Sequence, residues 1–275
     1  MNRDEKLQLI LGKSEYSVAD LVTIVELLRL PGGCPWDREQ THESLRDGFI
    51  EETYEVIEAI DKGDAELLHE ELGDVLLQVV MHARIEEEEG RATLGKIADG
   101  ICRKMIHRHP HVFGEVKADS VAEVLENWES IKNEEKSRNS VSDKLHAIPR
   151  QLPALMRAAK VGKKASVFDF PDARSVLEKV KEELLEVEDA LFEKNDDRVA
   201  EEIGDLLLSV ASLARHVGVA PEEALTRATD KFVARFGAVE AAATELGLDL
   251  ATMRDEDKEK LWQNVKKSSK CENFG

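Results

Sequence analysis

The 275 residues carry a formal net charge of −19, with 35% charged and only 5% aromatic side chains. Such a chain divides most readily into two modest helical domains, not an aromatic-rich β-sandwich. No run of basic residues exceeds two, so there is no groove of clustered Lys and Arg, and nucleic acid is not an expected partner.

The opening MNRDEKLQLI has no long apolar run, and nowhere do 18 apolar residues follow one another. Cys34, Cys102 and Cys271 form no CxxC pair and are odd in number. These features lead us to expect a cytoplasmic protein with no membrane partner and no disulfide framework.

In chain order, a helix is expected from about Val18 to Leu30, ended by the turn Pro31-Gly32-Gly33. No GxxxxGK[ST] follows that turn, so there is no P-loop. Phe49, Ile50, Val56, Ile57 and Ile60 recur at helical spacing, as do Leu72, Val75, Leu76, Val79 and Val80. Gly63-Asp64 separates these two helices as a short turn. His107, His109 and His111 surround Pro110; with no second copy, they read as a helix end and not as a zinc site. Glu66-x-x-His69 lacks the duplicate that a di-iron bundle needs, since Asp197 and Ala200 stand in its place. Residues 133–153 are polar and weakly periodic and end in prolines, which marks a linker between a unit at 1–132 and another at 154–275. Beyond it, Leu184, Leu185, Val187 and Leu191, then Ile203, Leu206, Leu207 and Val210, repeat the helix pair around Asn195-Asp196. The fold class is therefore all-α, with two tandem helical bundles.

The repeat extends to the polar residues. Glu51-Glu52-x-x-Glu55 returns as Glu182-Glu183-x-x-Glu186, and Glu71-x-x-Asp74 as Glu202-x-x-Asp205, both at an offset of 131 residues. Ala83-Arg84 matches Ala214-Arg215 at the same offset. Lys104-x-x-x-Arg108 answers Lys231-x-x-x-Arg235, and Trp128-x-x-x-Lys132 answers Trp262-x-x-x-Lys266.

Residues i, i+3 and i+4 share a helix face. Glu183 with Glu186, and Glu202 with Asp205, therefore project from antiparallel neighbours toward one point. Carboxylates so close require a cation, and Mg2+ is the usual choice when phosphates complete its coordination. In the first copy, Glu52, Glu55, Glu71 and Asp74 hold the same positions. Lys231, Arg235 and Lys266 supply cations for oxyanions, with Lys104, Arg108 and Lys132 as their first-copy equivalents. Trp262, like Trp128, either anchors the core or packs over the ligand.

The stretches GGCPWDREQTH (Gly32–His42), EETYE (Glu51–Glu55), EELGD (Glu70–Asp74) and RHPHVF (Arg108–Phe113), then KEELLEVEDAL, EEIGDLL, DKFVARF and LWQNVK, resemble the MazG nucleoside triphosphate pyrophosphohydrolases. The resemblance runs from about Val18 to Lys267 and implies the all-α NTP pyrophosphohydrolase fold. It implies hydrolysis of nucleoside triphosphates to monophosphate and pyrophosphate, with broad base specificity, by a homodimer whose second copy carries most activity. It also implies that Lys179 to Glu183, including Glu182, contribute to the nucleotide pocket, with Lys231, Arg235, Lys266 and Trp262 beside the triphosphate. Glu183 or Glu186 would orient or deprotonate the attacking water. Where family members often read VGFDW, this chain has Ser166-Val167-Phe168-Asp169-Phe170. A narrow (d)NTP pyrophosphatase on the same fold, or a non-catalytic nucleotide-binding regulator, are the alternatives.

Overall fold

A computed structural model describes residues 1–135 and 140–271, and the side chains up to residue 267. Among them there are helices and turns but no strand, as an all-α fold requires. The chain forms two compact units, Met1–Lys132 and Asn133–Gly275.

The first unit opens with α1 (Arg3–Leu11) and α2 (Val18–Arg29). Each starts at a capping box, Asn2 with Glu5 and Ser17 with Asp20, in which two orphan amides are satisfied reciprocally. Gly32 then takes a positive φ of 83°. A Cβ on Gly33 would lie 2.2 Å from the Leu28 carbonyl oxygen, so only glycine closes this turn. After α3 (Pro35–Glu39) come α4 (Arg46–Lys62) and α5 (Ala65–Glu88). They are joined by Gly63 at φ 65° and by Asp64, whose carboxylate accepts from the Glu66 and Leu67 amides. Val25 of α2 is fully buried against Leu45, Val80, Met81 and Ile85, so α2 lies across α5. Arg29 fixes that contact by pairing with Glu88 at 2.9 Å and donating to the Asp37 and Gln40 carbonyls. The unit continues through α6 (Leu94–Arg108), α7 (Pro110–Phe113) and α8 (Val121–Glu135). His109 Nδ1 donates to the Met105 carbonyl at 2.6 Å where α6 ends at Pro110, the role its sequence context suggested.

The second unit holds α9 (Val141–His146), α10 (Ala154–Lys164), a 3-10 turn (Ser166–Phe168), α11 (Ala173–Glu193), α12 (Asp196–His216), α13 (Pro221–Glu245) and α14 (Asp255–Cys271). The described part of the segment 133–153 is partly helical. It includes the end of α8 and the whole of α9, because Ser140 and Asp143 form a capping box that starts a helix in a polar stretch. Residues 136–139 of that segment, and the side chain of Cys271, lie outside the described residues. In the α11–α12 turn, Lys194 adopts the left-handed conformation at φ 55° and Asn195 caps α12.

The buried face of α11 consists of Val176, Glu183, Val187 and Ala190. Spacings of seven, four and three residues put all four on one stripe. A carboxylate thus sits on the stripe that packs the helix, where burial is costly unless something compensates its charge.

Candidate active site

In each unit, two glutamates one turn apart on the first helix of the pair meet one from the second helix. Glu183, Glu186 and Glu202 each bring a carboxylate oxygen within 4.8 Å of the other two, and so do Glu52, Glu55 and Glu71. Asp205 is outside the group of three but lines a cleft with Glu183 and Lys179. Asp74 is close enough for its charge to act on Glu52 and Glu71.

The electrostatics record the crowding. A hydrogen bond with Glu183, then partial burial and the charges of Glu183 and Glu202, hold Glu186 above the usual carboxylate range. In the first unit, burial raises Glu52, helped by a hydrogen bond with Glu55 and by neighbouring charge. Burial likewise raises Glu71, reinforced by Glu55, Glu70 and Asp74. Three all-oxygen ligands gathered where they repel one another fit a hard divalent cation. Among the described residues, the ion pairs onto these glutamates fall in the second cluster, where Arg198 Nε also lies 3.3 Å from Glu202. Lys179 Nζ lies 2.8 Å from Glu182 and 2.9 Å from Glu183, and these hydrogen bonds raise its own pKa. The residue 131 positions earlier is Gly48.

A carboxylate whose pKa rises on folding binds its proton more tightly in the folded state. Its contribution favours folding at low pH and is lost as pH rises through the raised value. A divalent cation offsets that loss only where the cluster is ionised. Its addition should therefore raise Tm more at about pH 7.5 than at about pH 5. Scanning fluorimetry across that range tests the assignment, and a shift independent of pH would contradict it.

The expected cations are carried by α13 and α14. Lys231 is exposed on α13, Arg235 is half-buried there, and Lys266 is half-buried on α14. Among the described residues, no ion pair joins these three to the carboxylates of α11 and α12. Trp262 packs its ring 5.3 Å from Phe232, and with Phe236 and Val239 lines a largely apolar cleft of about 530 Å³ between α13 and α14. In the first unit Lys104 is exposed, whereas Arg108 is buried with its guanidinium 5.7 Å from the Trp128 ring. Lys132 lies 5.9 Å from the same ring, so these three form a cation–aromatic stack.

Sequence reasoning assigned no role to a second constellation. Arg215 grips Asp169 with both guanidinium ends, at 2.7 and 2.5 Å, and His216 Nε2 lies 3.2 Å from the same carboxylate. The Arg215 hydrogen bonds hold Asp169 below the usual carboxylate range. The signals were the repeated Ala-Arg pair and the aspartate between two phenylalanines, but nothing in their spacing of 46 residues linked them.

Two antiparallel helix pairs, each converging three glutamates on one point, define an all-α protein with duplicated acidic centres suited to a divalent cation. A family model, the MazG nucleotide pyrophosphohydrolase domain, matches residues 40–113 and again 158–239, and the chain belongs to that family of hydrolases. It is 44% identical over 249 residues to the nucleoside triphosphate pyrophosphohydrolase/pyrophosphatase MazG of Thermotoga maritima, covering 90% of this chain and 94% of the relative. It is also 44% identical over 255 residues to the nucleoside triphosphate pyrophosphohydrolase of Escherichia coli (strain K12), covering 90% and 96%. The uncharacterized protein YabN of Bacillus subtilis (strain 168) is 46% identical over 251 residues, and there the chain spans 51% of the relative's length. No single described helix is long and apolar enough to cross a membrane.

Proposed function

We propose that the chain hydrolyses nucleoside triphosphates between the α and β phosphorus atoms, giving monophosphate and pyrophosphate, with Mg2+ as its metal and little discrimination among bases. The observation that carries this reading is the convergence of Glu183, Glu186 and Glu202, with Asp205 one turn along α12. These four residues would hold the ion. When bound, Mg2+ supplies charge that polarises phosphoryl oxygens and acidifies nearby water. Glu186 would accept a proton from the attacking water, with Glu183 orienting it. Lys179 and Glu182 border the nucleotide. Lys231, Arg235 and Lys266 offset charge on the departing pyrophosphate, and Trp262 flanks it. The first-unit counterparts, Glu52, Glu55, Glu71 and Asp74 with Lys104, Arg108, Trp128 and Lys132, form a weaker or silent centre.

Anion exchange of the products made from ATP and dGTP tests the reaction. Monophosphate and pyrophosphate are expected, and a chelator should stop turnover. Diphosphate with orthophosphate would place cleavage at the wrong bond.

The working form is a homodimer in the cytoplasm. Leu184, Leu191, Ile203, Leu207 and Val210 are each between 42% and 58% exposed on α11 and α12, an apolar surface that a second copy would cover. Light scattering should give the mass of two chains at micromolar concentration, and a monomer would refute the assembly.

A further inference from the structure

The cleft that Asp205, Glu183 and Lys179 line has a volume of about 290 Å³, just below the roughly 300–1,000 Å³ typical of small-molecule sites. Away from the carboxylates its walls are apolar, with Val161, Phe168, Phe170 and Leu208 among them, and two hydroxyls, Ser209 and Ser212, line it from α12. At its far end Arg215 is committed to Asp169, so that end offers no net charge to a ligand. Acidic at one end and apolar and hydroxyl-lined beyond, the cleft matches a nucleoside with its phosphates turned toward the glutamates.

The first unit carries the same three glutamates but different residues along the equivalent face of α5. At an offset of 131, Ser209 becomes Gln78 and Ser212 becomes Met81. Gln78 lies over the backbone of Gly48, its Nε2 3.3 Å from where a Cβ would stand. Met81 is only 4% exposed and belongs to the core that α2 makes with α5. Side chains thus occupy, in the first unit, the register that borders a cleft in the second. The two acidic centres share metal chemistry but not this space.

We propose that Ser209 and Ser212 hold open the nucleoside-binding cleft beside the second acidic centre, and that Gln78 and Met81 close the equivalent space in the first. The proposal rests on the reading of the chain as a nucleoside triphosphate hydrolase and names the residues that make room for the nucleoside. Serine leaves volume that glutamine or methionine would fill, and steric loss of a binding surface falls on the base, not on the phosphates.

The test compares dGTP with inorganic tripolyphosphate, in Mg2+, on the full chain and on the Ser209→Gln/Ser212→Met variant. Inhibitory or calorimetric affinity should fall at least about tenfold for dGTP in the variant, while that for tripolyphosphate changes less than about twofold. Ser209→Gln alone, which leaves the α10–α12 packing at Ser212 intact, should show the same selective loss in smaller degree and covers the case in which the double variant misfolds. Unchanged dGTP affinity in either folded variant, or equal losses for both ligands, would overturn the assignment of these serines. Wild-type protein that binds tripolyphosphate as tightly as dGTP would instead overturn the nucleotide reading, and this proposal with it.

Discussion

Glu186→Ala should lower turnover at least about a hundredfold, whereas Glu55→Ala should leave most activity intact. Both residues belong to a three-glutamate cluster, so carboxylate geometry alone does not rank them. The ranking comes from what surrounds each cluster. The second centre has Lys179 paired to Glu183 and a cleft running back from Glu183 and Asp205. The first has Gly48 in place of the lysine and Gln78 lying over it. Both variants should remain folded, since removing one carboxylate from a like-charge group relieves repulsion in the metal-free protein. Steady-state rates at saturating Mg2+, measured side by side, settle the matter. Equal losses would mean shared work, and an inactive Glu55→Ala beside an active Glu186→Ala would reverse the assignment.

Arg215→Met should destabilise the second unit by about 2 kcal/mol, which for a unit of this size lowers Tm by roughly 4–8 °C. The substitution keeps the aliphatic stem but leaves Asp169 without its bidentate partner in a site where both side chains are only about a fifth exposed. Full burial of such a pair would make the loss larger, about 3–5 kcal/mol, and partial solvent access reduces it. The sign with pH follows from Asp169, whose pKa is depressed on folding from the ordinary 3.8. Its stabilisation is present above that value and is lost as pH falls through the lowered one. The gap between wild type and variant should therefore be full at neutral pH and close below about pH 4. Thermal melts at both ends of that range decide it, and an unchanged Tm at neutral pH would mean the pair contributes nothing.

The helix pairs and their glutamates were legible because both follow from local periodicity. Glu183 and Glu186 are one turn apart whatever the tertiary fold, and a short turn at Asn195 forces Glu202 alongside them. The capping box at Ser140 was not read from the sequence, because it lies inside a segment whose composition suggested only a linker. What stayed out of reach depends on packing between distant segments. Asp169 and Arg215 meet only because α10 approaches α12 so closely that a Cβ on Gly162 would stand 3.1 Å from Arg215 Nε. Ser209 and Ser212 look like ordinary small residues on an amphipathic helix, and only the space in front of them gives them meaning. Lys231 and Arg235 recur in register with the first copy, but periodicity carries no information on which surface faces the carboxylates.

At Glu183, the paired ammonium of Lys179 makes cation entry an exchange and not an addition. A monovalent ion arriving at Glu183 would bring no more charge than the tethered group it displaces, while giving up part of its own hydration. A divalent ion brings twice the charge and gains in the trade. A lysine so placed favours a divalent over a monovalent ion beside Glu183 on charge alone. Gly48 at the corresponding position places no such ammonium beside the first three glutamates.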